Sequence, residues 1–229
     1  VRLAARGYVA VAPSLFTRVE PGVDLGYGDA DRAKGMALKS AAEALPQPGV
    51  LPEIEAAIAH AATLVPGGKV GIVGFCWGGL WAWRAACNLP SLSAAACYYG
   101  GGMTTPLEMG REPLCPVIAH FGRRDAHIPV DAVQAFAQAQ KHVQVHLYDA
   151  DHGFNCDQRS AYDEASGILY GAFRSAGVLE HVGGGLGVLL HGRVRAVASD
   201  PRHIEPHGCE RASDVVVNLP CYGRPFLLY

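Results

Sequence analysis

Charge is scarce in this chain and nearly balanced. Only 17% of its 229 residues are charged, and 19 basic against 21 acidic side chains leave a net charge of −2. That balance removes the electrostatic argument for nucleic acid or an anionic membrane as a partner. No run approaches the ~20 apolar residues of a membrane-spanning helix, and no signal peptide is visible. Cysteine is sparse and odd in number, seven in all, with no disulfide-framework spacing. A reduced, cytoplasmic chain is therefore expected. What remains is half hydrophobic and long enough for one α/β domain with a sizeable core, with room for an appendage. The chain starts at Val1 in what reads as mid-helix, without methionine, so a missing N-terminal piece is expected.

The rest is organised around Val70-Gly71-Ile72-Val73-Gly74-Phe75-Cys76-Trp77-Gly78-Gly79. A short buried strand, Val70 to Val73, breaks at glycine and passes directly into a helix. Between them sits one thiol in the pattern Gly-x-Cys-x-Gly-Gly, the shape of a nucleophile elbow with cysteine in place of serine. Glycine is required because a Cβ at Gly74 or Gly78 would strike neighbouring backbone in so tight a turn. The helix N-terminus favours a thiolate by roughly 0.3–1 kcal/mol. One pKa unit costs about 1.36 kcal/mol, so the dipole alone moves an ordinary thiol of pKa about 8.5 by less than a unit. A histidine partner is needed.

Helical and strand patterns alternate along the chain. Leu3 to Arg6 reads as a helix end closed by Gly7, Tyr8 to Ala12 as a buried strand stopped by Pro13, and Thr17 to Gly28 as loop. Asp29 to Leu45 is a helix that stops at Pro46. Ile54, Ala57, Ile58, Ala61, Leu64 and Val65 recur at helical spacing behind Pro52. After the elbow, a helix runs to about Asn88. Strands follow at Ala94 to Tyr99, Val117 to Phe121 and Val143 to Tyr148, with a helix from Val130 to near Lys141. The alternation predicts a parallel sheet with helices on both faces. Ligands of such sheets lie beyond the carboxyl ends of the strands, where Cys76, Asp125 and His152 all fall.

Cys76, Asp125 and His152 follow one another as nucleophile, acid and base, the chain order of α/β-hydrolases. In that arrangement His152 takes the thiol proton and Asp125 holds the imidazole tautomer. Cys76 attacks an ester carbonyl, giving an acyl-thioenzyme that water hydrolyses. The backbone N–H of Trp77 is one oxyanion donor. Each residue alone has a duller reading: a small buried hydrophobe, a helix cap, one histidine among ten. Cys87, Cys97 and Cys115 read as core.

Several stretches together resemble the dienelactone hydrolase (carboxymethylenebutenolidase) family of α/β-hydrolases. They are Arg6-Gly7-Tyr8-Val9-Ala10-Val11-Ala12-Pro13, Gly74-Phe75-Cys76-Trp77-Gly78-Gly79, Tyr98-Tyr99-Gly100, His120-Phe121-Gly122 with Asp125-Ala126-His127-Ile128-Pro129, and Asp151-His152-Gly153-Phe154-Asn155. The resemblance runs from about Val1 to Ala165. It implies an α/β-hydrolase fold, Cys76, Asp125 and His152 as triad, and hydrolysis of an enol-lactone such as dienelactone to maleylacetate. It implies no cofactor or metal, a small-molecule ester or lactone as the partner, and a monomer or small homo-oligomer.

The departures from the family pattern are specific. The family's N-terminal hairpin and next strand are absent, and with them a glutamate near the nucleophile and the second oxyanion donor. By family topology that strand lies between Tyr8–Ala12 and Val70–Gly74, so a gap or re-paired strands are expected, with poor stability and little activity. Dienelactone-specific members carry an arginine four residues after the catalytic histidine, where this chain has Cys156. Arg32 matches an upstream substrate-binding arginine, and Arg159 lies nearby, although both also read as solvated surface charges.

Residues 1–177 are thus expected to form an N-terminally incomplete hydrolase domain, and 178–229 an unassigned tail. Disorder or out-of-frame translation is the expectation for the tail. Val188 to Val197 and Val215 to Val217 are its candidate strands. His203, His207, Cys209 and Cys221 fit no zinc spacing well. The competing functional readings are a non-catalytic remnant lacking part of its oxyanion hole, and a redox thiol protein. Against the second, Cys76 has no resolving cysteine in a C-x-x-C arrangement.

Overall fold

The computed structural model describes residues 9–157, 159–163 and the strand at 214–219. Its centre is a six-stranded, all-parallel sheet in the order β1-β6-β2-β3-β4-β5. The strands are β1 (Val9–Val11), β2 (Lys69–Phe75), β3 (Ala94–Tyr98), β4 (Val117–Gly122), β5 (Val143–Tyr148) and β6 (Asp214–Leu219). The helices are α1 (Asp29–Glu43), α2 (Leu51–Leu64), α3 (Trp77–Asn88), α4 (Pro106–Met109) and α5 (Val130–Ala139). Helix α2 packs on β1 and β6, α3 on β2 and β3, and α5 on β5.

Why these segments choose these states follows from their sequences. β3 and β4 are buried along their whole length and carry the unbroken apolar runs of a strand covered on both sides. Helix α2 starts with Pro52 in its first turn and buries Ile54, Ala57, Ile58 and Ala61, the i, i+3, i+4, i+7 stripe of an amphipathic helix. Helix α3 is apolar nearly all round because it lies against the middle of the sheet. Trp83 is fully buried there, edge-on to Phe136 of α5 at 5.4 Å between ring centroids. Cys97 is core as expected, while Cys87 and Cys115 are half-buried and packed against it. Burial pushes the thiol of Cys87 up to about 12 and that of Cys115 up to about 11.

Two expectations need correction. The short helix α4 went unread, because Pro106-Leu107-Glu108-Met109 is a single turn with no periodicity to detect. Its Glu108 is buried and paired with Arg84 and Arg111, each at 2.8 Å. The larger correction concerns the slot beside the nucleophile strand, where a gap or re-paired strands were expected. It holds β6, which contains Val215 to Val217 and pairs in parallel with β1 on one side and β2 on the other. Candidate strand Val188 to Val197 and the His203, His207, Cys209 and Cys221 group lie outside the described residues. No helix among the described residues is long and apolar enough to cross a membrane.

Candidate active site

The site forms where β2, β3, β4 and β5 end. β2 ends at Phe75 and α3 begins at Trp77, leaving Cys76 alone in the turn with φ 56°. Left-handed backbone is costly for a residue with a Cβ, so the surroundings must hold it there. Gly74 makes the turn possible: a Cβ on it would lie 1.9 Å from the carbonyl oxygen of Gly78. Gly79 lets the helix approach β3, because a Cβ there would lie 2.8 Å from the Tyr98 carbonyl oxygen. The Cys76 N–H donates to that same Tyr98 oxygen at 2.9 Å, fixing the elbow to the sheet.

Asp125 follows β4 and His152 follows β5, and the two loops are tied together at their base. Arg123 N–H donates to the Tyr148 carbonyl at 2.7 Å and Arg124 N–H to that of Ala150 at 3.0 Å. Gly122 is needed here, since a Cβ would lie 2.3 Å from the Ala150 oxygen. Asp125 is buried; its Oδ1 accepts the N–H of His127 at 2.8 Å, and its Oδ2 lies 2.7 Å from His152 Nδ1. His152 is in turn hydrogen-bonded to Cys76. The chain Asp125–His152–Cys76 is therefore continuous.

Electrostatics favour a charged imidazole. Burial opposes the proton on His152, but the hydrogen bonds to Asp125 and Cys76, with the charges of both, outweigh it and raise the group to about 9. Tyr99 backs the ring at 5.0 Å between centroids, and Phe154 backs Tyr99 at 5.2 Å. Below them, His120 Nδ1 is hydrogen-bonded to the Tyr148 hydroxyl at 2.8 Å. Burial and the neighbouring His146 lower His120 to about 3, so it stays neutral.

The indole of Trp77 belongs to the core. Its side chain is buried and stacked on Phe16 at 5.7 Å, while its N–H heads helix α3, among the donors that a helix's own ladder leaves unused. A cleft of about 560 Å³ opens over Cys76 and His152, lined also by His127, Arg32, Lys39 and Arg159 among others. Arg32, the sequence-predicted substrate contact, is thus on the wall, with Nη1 3.4 Å from Asp29 Oδ1. Lys39 and His127 were not singled out beforehand. Lys39 had a signal, since Asp29, Arg32, Met36 and Lys39 share one face of α1 at helical spacing and all line the cleft. His127 sat inside a motif already quoted, but nothing local separates a cleft histidine from a surface one. Among the described residues, no group of His, Cys, Asp and Glu is placed to hold a metal.

A parallel sheet with a strained cysteine at the strand–helix elbow and acid and base on later strand ends defines the α/β-hydrolase class. Within that class, the sequence profile of the dienelactone hydrolase family matches residues 1–169. The chain belongs to that family, whose members hydrolyse ester and lactone bonds. It is 36% identical over 180 residues to a protein of Synechocystis sp. named provisionally as a carboxymethylenebutenolidase, covering 71% of this chain and 70% of that one. It is 33% identical over 172 residues to the carboxymethylenebutenolidase of Pseudomonas putida, covering 73% and 72%. A solved structure from Klebsiella pneumoniae, provisionally called a dienelactone hydrolase, superposes with a TM-score of 0.57 at 32% identity, covering 72% of each chain.

Proposed function

We propose that this hydrolase cleaves carboxylic esters or enol-lactones through an acyl-thioenzyme on Cys76. The observation that carries the reading is the unbroken hydrogen-bond chain from Asp125 through His152 to Cys76. Asp125 accepts from Nδ1–H, which fixes the tautomer and presents Nε2 to the thiol. His152 takes the thiol proton, and the sulfur attacks the carbonyl carbon. The Trp77 N–H donates to the oxyanion that forms, a contact worth roughly 2.7–4 kcal/mol where such donors have been removed. His152 gives the thiol proton to the leaving oxygen as the thioester forms, and the neutral imidazole then activates the water that releases the acid.

The cleft adds a substrate preference. The Pseudomonas putida relative's name states a carboxymethylene-bearing butenolide as its substrate. Arg32, Lys39 and Arg159 on the wall suit an ester or lactone that carries a carboxylate, with Arg32 as the substrate contact. The inactive-remnant reading is disfavoured by a triad that is hydrogen-bonded end to end.

The experiment is hydrolysis of a chromogenic short-chain ester by the full chain, with and without iodoacetamide, beside Cys76→Ala. Cys76→Ala should lower turnover by about four orders of magnitude or more, and iodoacetamide should abolish it in the unmodified chain. Turnover by folded Cys76→Ala at the unmodified rate would exclude Cys76 as the nucleophile.

A further inference from the structure

We propose that Tyr99 is the positioning residue for the catalytic imidazole, its strained backbone holding a flat ring against His152 so that the base meets Cys76. The proposal rests on the Cys76 mechanism above and gives a part to a residue that the mechanism leaves unused. Tyr99 directly follows β3, within the Tyr98-Tyr99-Gly100 stretch. Its φ is 37°, left-handed backbone that a bulky side chain adopts only under constraint. Three glycines follow at once, Gly100, Gly101 and Gly102, and any of them would take such a turn without strain. The turn nevertheless falls on the tyrosine, and burying an aromatic ring does not by itself require that.

Tyr99 joins the two halves of the site. The Tyr98 carbonyl accepts the Cys76 N–H at 2.9 Å, and the Tyr99 N–H donates to the His120 carbonyl at 2.7 Å. The backbone is thus pinned between the nucleophile elbow and β4. It has no slack on the far side either, since a Cβ on Gly79 of α3 would lie 2.9 Å from the Gly100 Cα. The Tyr99 ring, 1% exposed, meets the imidazole of His152 at 5.0 Å between centroids with planes at 59°, within the range of aromatic pairs. Packed on it in turn are Phe154, at 5.2 Å and 71°, and Phe75, at 6.3 Å and 45°. Phe154 is fully buried two residues after His152, and it packs on Tyr148, whose hydroxyl is hydrogen-bonded to His120.

One hydrogen bond does not orient a base. Asp125 Oδ2 holds Nδ1 at 2.7 Å, which fixes one corner of the imidazole without stopping the ring from pivoting about it. His127 also abuts the ring, at 5.2 Å, but is exposed, and exposed side chains change rotamer within picoseconds to nanoseconds. Tyr99 is the abutting ring that is itself wedged in place. Its neighbour's carbonyl holds the Cys76 backbone while its own ring holds His152, so one residue sets the separation of sulfur and imidazole. Displacing a reacting group by about 1 Å can cost about 100-fold in rate, and strain persists at a site where the surroundings enforce such a position.

The test compares the unmodified full chain with Tyr99→Phe, Tyr99→Leu, Tyr99→Gly and Phe154→Leu. Two quantities are read: the acylation rate with a p-nitrophenyl ester, and the pH dependence of Cys76 alkylation by iodoacetamide. Tyr99→Phe keeps the ring and should keep the rate and the profile of the unmodified chain. Tyr99→Leu keeps the strained backbone without a flat ring, and Tyr99→Gly removes the strain and the ring together. Both should acylate about 100-fold more slowly, in kcat rather than KM. Their alkylation inflection should climb toward the value of about 8.5 of an unassisted thiol. Phe154→Leu leaves the β3 backbone untouched and should move both readouts the same way, by less; it decides the matter if the Leu and Gly variants at Tyr99 do not fold. A merely structural tyrosine would lower the unfolding midpoint and leave the alkylation profile in place. That result in folded Tyr99→Leu or Phe154→Leu overturns the proposal, as does Tyr99→Phe losing as much as Tyr99→Leu. Failure of the underlying mechanism is recognised separately, as p-nitrophenyl ester turnover that survives iodoacetamide.

Discussion

On one side of the nucleophile strand, β3, β4 and β5 succeed one another in the chain and in the sheet. On the other side, β6 and β1 are neighbours drawn from residues 214–219 and 9–11. The first region is built from consecutive strand–helix units with short connections, and it carries Asp125 and His152. The second depends on one strand that returns from far along the chain to separate β1 from β2. Long-range pairing carries a larger loop-closure cost, though that cost grows only slowly with length, and it forms later because local contacts close first. Chemistry is thus assembled on the sequential side, while the nucleophile strand borrows its other flank from a distant segment.

The strongest way to break the comparison is at the strand both regions share. Gly74→Ala puts a Cβ 1.9 Å from the Gly78 oxygen and 2.8 Å from the Gly79 nitrogen, all backbone atoms that cannot step aside. The cost should be at least about 3 kcal/mol in denaturant unfolding, the upper end for overpacking, with loss of Cys76-dependent turnover. Stability within 1 kcal/mol of the unmodified chain would mean that the elbow is looser than drawn. Next in size is Val216→Pro. Val216 pairs with Ala10 on one side and Gly71 on the other, and proline removes a ladder donor from a central strand. About 3 kcal/mol should be lost. An unchanged midpoint would show that the slot does not need β6, and the contrast between the two sides would disappear.

Legibility in the sequence divides along the same line. β2, β3 and β4 were readable as apolar runs close to Gly or Pro and β5 as an alternating run before Asp149, while β2 and β4 hand on to the periodic helices α3 and α5. The meeting of Cys76, Asp125 and His152 was readable because each follows a strand at its carboxyl end. β6 was harder. Asp214 to Leu219 is a short β-branched run in a stretch without supporting helices, and no local rule says which strands a lone run will join. The cleft wall was partly readable: Arg32 was found, Lys39 lay on the same helical face, and His127 joined the wall only once the β4 and β5 loops were brought together. Helix α4 was too short to carry a pattern.

The smallest predicted effect belongs to the sequential side alone, where charge rather than pairing holds the rim. His152 is raised from 6.5 to about 9 in the folded chain; burial opposes this, and the hydrogen bond that it donates to Asp125 is the largest contribution in its favour. Between those values the folded state binds more protons than the unfolded state, so stability falls as pH rises. The contribution is fully present below about pH 6.5 and is lost as pH approaches 9. It amounts to roughly 2 kcal/mol, allowing for a site that is partly open to solvent. The buried thiols act with the same sign but only higher up, since Cys115 is raised from 9.0 to about 11 and Cys87 from 9.0 to about 12. Thermal unfolding followed from about pH 7 to 8 therefore reports chiefly on His152, because His120, lowered to about 3, raises stability with pH only around and below its unfolded value of 6.5. Asp125→Asn, which keeps the shape but loses the charge, should flatten that slope and lower the titration of His152 seen by NMR. Val216→Pro should shift the whole curve down without changing its slope, because the Asp125–His152 pair sits on the loops after β4 and β5. A slope that survives Asp125→Asn would assign the proton-linked stability to groups other than the Asp125–His152 pair.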